Sequence, residues 1–77
     1  MEITIFLEHF AYQFDETNSA VFKPDTKFKE LNEWSSLIAL SVIAMVDEEY
    51  DVSIKGDDIR KSETIEDLFS IVKQKAL

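Results

Sequence analysis

Ser35-Ser36-Leu37-Ile38-Ala39-Leu40-Ser41-Val42-Ile43-Ala44-Met45-Val46-Asp47-Glu48-Glu49-Tyr50 is the stretch that decides the fold. Its apolar residues recur at three- and four-residue steps, the period of a helix, and not in the alternation of a half-buried strand. Leu37, Leu40, Ile43, Val46 and Tyr50 give one apolar face, and Val42 widens it. Serine at the head supplies a side-chain oxygen for the unpaired N–H groups of a first turn. The spacing predicts a helix from Ser35 or Ser36 to about Tyr50. Asp47, Glu48, Glu49 and Asp51 then crowd its C-terminus. The helix macrodipole disfavours anions there, so the cluster costs stability. Recognition of a basic partner is a role that such a cost would serve.

The same period runs on both sides. Ile3, Phe6, Leu7, Phe10 and Phe14 form one stripe of a first helix over residues 2–14, with Glu2, Glu8, Tyr12 and Gln13 mostly off it. Asp15 to Ser35 is polar and holds the one proline, Pro24. A connection that long is uncommon in a compact domain and often functional. Val21, Phe22, Phe28 and Leu31 are placed to pin it to the core, and Pro24-Asp25-Thr26 suits a single helical turn. Past Tyr50, Ile54 extends the core, and Gly56, the one glycine, breaks the chain. Asp57 is placed to cap a short third helix over about 58–61. Thr64 caps a last helix over 64–75, with Asp67 three residues on in a variant of the capping box. Ile65, Leu68, Phe69 and Val72 point inward from it, with Ile71 nearby.

The expectation is an all-α single domain over residues 1–77, a small four-helix bundle of three main helices plus one short, with a long first loop. One glycine and one proline are too few turn residues for a sheet of hairpins. The core should contain Phe10, Phe14, Val42, Val46, Ile54, Leu68 and Val72, and Trp34 should pack the loop on the bundle.

Composition narrows the function. A chain of 77 residues buries about 60% of its unfolded surface, so its stability is marginal. It is 45% apolar, which suffices for a packed core. It has no cysteine, which excludes disulfides and thiolate zinc sites. Its net charge of −8 repels nucleic acid and anionic lipid and attracts basic protein patches. No apolar run reaches the ~18 residues of a membrane span. The first residues lack the basic and apolar regions of a secretory signal. A cytoplasmic monomer, with no nucleic-acid partner and no membrane span, is expected.

Catalysis finds little to work with. His9 is the one histidine, at the edge of the first stripe, with no partner placed by sequence. Carboxylates are many, but on an acidic surface nothing in the sequence shifts their pKa values. Asp47, Glu49 and Asp51 alternate as in a calcium loop, yet Val52 stands where that loop needs glycine and Asp58 where it needs glutamate. No enzymatic activity and no metal site are expected.

Residues 31–54 resemble the acyl carrier protein family. Ser36-Leu37 matches the serine-leucine pair that opens that family's second helix. Glu48-Glu49-Tyr50 matches its acidic-acidic-aromatic end, and Ile54 the isoleucine that follows. A short helix near Asp57 to Lys61, and Thr64-Ile65 opening the last helix, keep the same spacing, so the resemblance extends over the whole chain. It implies a non-catalytic carrier with a covalent 4'-phosphopantetheine arm on Ser36, attached by a phosphopantetheinyl transferase. Acyl groups would travel on that arm as thioesters to basic-surfaced acyl-transfer or adenylating enzymes. Leu37, Ile38, Met45, Asp47, Glu48, Glu49 and Asp51 would form the partner-binding surface. Fatty acid, polyketide, peptide-like and cell-envelope chemistry all use such carriers. The chain departs from the pattern at Ser35, where the family has aspartate, and at Ile38 and Ser41, outward positions often acidic. It departs again at Ser62, where an apolar residue often lines an acyl cavity. A small acidic helical interaction module, or a degenerate carrier, would have the same residues with Ser36 only a helix cap.

Overall fold

A computed structural model describes residues 2–76. Four helices follow in order: α1 (Ile3–Ala11), α2 (Ser36–Tyr50), α3 (Gly56–Lys61) and α4 (Ile65–Ala76). Single 3-10 turns lie at Ser19–Val21 and Phe28–Glu30 within the long first loop. Among the described residues there is no strand, and no helix is long and apolar enough to cross a membrane.

Aromatic packing joins the helices. Phe6 of α1 meets Phe69 of α4 with ring centroids 5.2 Å apart and Tyr50 of α2 at 5.7 Å. Phe10 meets Phe28 of the loop at 5.3 Å. Phe6, Phe10, Phe28, Val42, Val46, Ile65, Leu68 and Val72 lose all contact with solvent. All seven expected core residues are buried. Such tilted ring pairs add to the apolar area removed from water.

α1 is shorter than its apolar stripe. It stops at Ala11, and the N–H groups of Gln13 and Phe14 donate to Phe10 and Ala11 at 3.1 and 3.0 Å. These three-residue bonds tighten the last turn. Phe14 still turns inward, 4.9 Å from Phe22. The stripe therefore continued past the helix that carried it.

The long loop is held by hydrogen bonds as well as by packing. The N–H groups of Ile65 and Glu66 donate to the carbonyls of Thr26 and Pro24 at 3.1 and 2.9 Å. Two orphan donors at the start of α4 are thus met by the loop. Thr64 and Asp67 form the expected reciprocal cap: Asp67 N–H donates to Thr64 Oγ1 at 3.1 Å, and the Asp67 carboxylate accepts from Thr64 N–H at 3.0 Å. Trp34 is half-buried, 5.0 Å from Phe28 and 6.3 Å from Phe14, and fastens the end of the loop to the bundle.

α3 begins earlier than the glycine suggested. Gly56 is its first residue, Lys55 precedes it as the cap position, and Lys55 N–H donates to the Asp58 carboxylate at 2.9 Å. Asp58, and not Asp57, closes this end because it lies one turn ahead of the free N–H. At the other end Lys29 Nζ donates to the carbonyls of Ile59 and Arg60 at 3.3 and 3.1 Å, a cation on the negative end of a helix. Ser62 is buried, and its hydroxyl donates to Asp58 O at 2.9 Å.

Candidate functional site

Ser35 adopts an extended backbone, and its Oγ accepts the Ile38 N–H at 3.2 Å. Its carbonyl accepts from Ala39 N at 3.0 Å, which starts the helix. Ser35 is therefore the cap of α2. Ser36 is the first helical residue and is exposed. Among the described residues its hydroxyl enters no hydrogen bond, and the N–H groups of Ser36 and Leu37 have no partner. A free hydroxyl stands beside two free donors at the positive end of a fifteen-residue helix.

The surface around Ser36 differs from the expected one. Leu37 is 73% exposed and Leu40 62%. They do not form the inward face of α2. Val42, Met45 and Val46 do, with Ile38, Ala39, Ile43 and Tyr50 partly buried against the core. Met45 is 4% exposed, so as a partner-binding residue it is corrected to the core. Ile38, expected on the exposed patch, packs against the core and shows only part of its side chain. The reason is angular: α2 is apolar nearly all round, so its inward face is set by packing against α1 and not by its own period.

The acidic end is exposed as expected at Asp47, Glu48, Glu49 and Asp51. His9 Nε2 lies 3.8 Å from Glu49 Oε1, an ion pair between α1 and α2 only when the imidazole is protonated. Asp51 ends α2 in the left-handed conformation at φ 55°. Burial, with Glu49 nearby, pushes the Tyr50 hydroxyl above its usual range, and among the described residues that buried oxygen has no hydrogen-bond partner. Among the described residues no group of His, Asp and Glu is arranged to hold a metal ion.

One site residue was not anticipated. The Glu33 carboxylate accepts from Asp15 N at 2.7 Å, Glu16 N at 3.1 Å, Thr17 N at 2.9 Å and Thr17 Oγ1 at 2.7 Å. The Thr17 hydroxyl and these N–H groups hold its pKa below the ordinary carboxylate value. Asp67 and Asp58 are lowered in the same way, Asp67 first by the Thr64 N–H and Asp58 first by the Lys55 N–H. Backbone donors, which no count of charges reveals, thus shift carboxylates on an acidic surface. Against family models, curated proteins and solved structures, the chain finds no match.

Proposed function

We propose that this chain is an acyl carrier protein whose 4'-phosphopantetheine arm is attached to Ser36. The observation that carries the proposal is the division of labour between two adjacent serines. Ser35 spends its oxygen on the helix cap, and Ser36 leaves its hydroxyl free and exposed. The unpartnered N–H groups of Ser36 and Leu37, with the helix dipole, favour a phosphate there. In the transfer, Ser36 Oγ forms a bond to the phosphorus that carries pantetheine. The pyrophosphate bond of coenzyme A breaks, adenosine bisphosphate leaves, and the hydroxyl proton passes to a base of the transferase. The working thiol arrives with the arm, which suits a chain without cysteine. Leu37 and Leu40, followed by Asp47, Glu48, Glu49 and Asp51, form the docking face for phosphopantetheinyl transferase and for basic-surfaced acyl-transfer or adenylating enzymes.

Incubation with coenzyme A and a broad-specificity transferase, followed by intact-mass measurement, tests the proposal. The wild type and Ser35→Ala should gain the arm, and Ser36→Ala should not. Ser35→Asp should gain it faster, because it restores the carboxylate usual in the family. A degenerate carrier, favoured by the serine at position 35, would leave the wild type and both alanine variants unmodified.

A further inference from the structure

Three consecutive residues ahead of Ser36 are each fixed by contacts of their own. Glu33 is held by four donors from residues 15–17. Trp34 is held by Phe28 and Phe14, and Ser35 by its cap bond. Ser36 is the first residue whose side chain is free. The successive N–H groups of Asp15, Glu16 and Thr17 make a concave donor array of the kind that binds anions, and here the chain fills it with its own carboxylate. Glu33 is the one charged anchor of the three.

We propose that Glu33 is a positioning residue for transfer of the arm to Ser36: by locking residues 15–17 to the chain just ahead of α2, it holds the Ser36 hydroxyl in one place while a transferase is docked. The inference rests on the carrier function proposed above. Transfer requires oxygen and phosphorus in near-attack geometry, and a misplacement of ~1 Å costs on the order of a hundredfold in rate. The docking face begins at Leu37 and runs along α2, and none of the Glu33 hydrogen bonds touches it. Loss of the clamp should therefore lower kcat and leave KM nearly alone.

The test is steady-state kinetics of a broad-specificity transferase with coenzyme A on the wild type, Glu33→Ala and Glu33→Gln. It is run at a temperature where circular dichroism shows all three folded. Glu33→Ala should lower kcat about tenfold, with KM for the carrier changed by less than about twofold. Glu33→Gln, which keeps one acceptor oxygen and the shape, should recover part of the loss and remain testable if the alanine variant unfolds. Amide hydrogen exchange at residues 15–17 should quicken in step with the loss. Faster exchange with unchanged kcat would reduce Glu33 to a structural anchor and overturn the inference. A rise in KM alone would overturn it too, since that is the mark of weaker docking or a smaller folded fraction. A wild type that takes up no arm would instead sink the carrier function itself, and the role of Glu33 with it.

Discussion

Asp51 meets two demands at once. Its φ of 55° puts a side chain where glycine is the usual occupant, at the left-handed position that ends α2. Its charge also extends the acidic end of the helix, where the macrodipole opposes it. Asp51→Gly removes both costs, and should stabilise the fold by about 0.5–1 kcal/mol, raising Tm by about 2–8 °C. Thermal denaturation checks this, and a lower Tm would mean that the carboxylate makes a compensating contact. Residue identity was also the clearest source at the start of α2. Cap chemistry selects one serine of the pair for the helix, and Ser35 is the one whose Oγ meets the Ile38 N–H. Glu33 was illegible by the same reasoning, because its donors lie 16–18 residues away and three of the four are backbone N–H groups.

At the scale of elements, the four helices and their order were readable because Ile3 to Phe14 and Ile65 to Val72 each carry an apolar stripe on one side only. α2 carries no such asymmetry. Its existence followed from apolar residues at three- and four-residue steps behind a serine cap, but the face read from Leu37, Leu40, Ile43 and Val46 did not give its orientation, and Leu37 and Leu40 face solvent instead of the core. The start of α3 was missed for a different reason. Gly56 reads as a break, yet the Asp58 carboxylate caps the Lys55 N–H and draws the glycine into the first turn. Gly56 has no positive φ, and a Cβ built there would meet only the end of Arg60, at 3.8 Å. Gly56→Ala should accordingly stabilise the protein by about 0.4–1 kcal/mol, chiefly by restricting the unfolded chain. A shift of the urea midpoint to lower concentration would show that the backbone there needs glycine after all.

For the whole molecule, charge bears first on stability. Glu33, Asp58 and Asp67 titrate below their ordinary values of 4.5, 3.8 and 3.8 in the folded chain. A lowered native pKa means that the unfolded chain takes up the proton first. The stabilisation is then complete above the ordinary values and is lost as pH falls through the native ones. Tm should be nearly level from about pH 7 to 5 and fall below about pH 4.5, with a shallower fall in Glu33→Gln. An equal slope in that variant would remove Glu33 from the acid transition. The proposed carrier function adds a role in encounter for the excess of acidic over basic residues, 16 against 8. Reversing Asp47, Glu48 and Glu49 to lysine should mainly slow association with a basic transferase and flatten its dependence on salt. Association that is indifferent to salt in the wild type would leave the acidic end a solubilising surface only. In the proposed carrier, one hydroxyl, at the first position of α2, receives the arm. Fragmentation of the modified chain in a tandem mass spectrometer locates it: the added phosphopantetheine should sit on Ser36 and nowhere else, and an arm on Ser35, or no arm on a folded wild-type chain, would refute the carrier proposal.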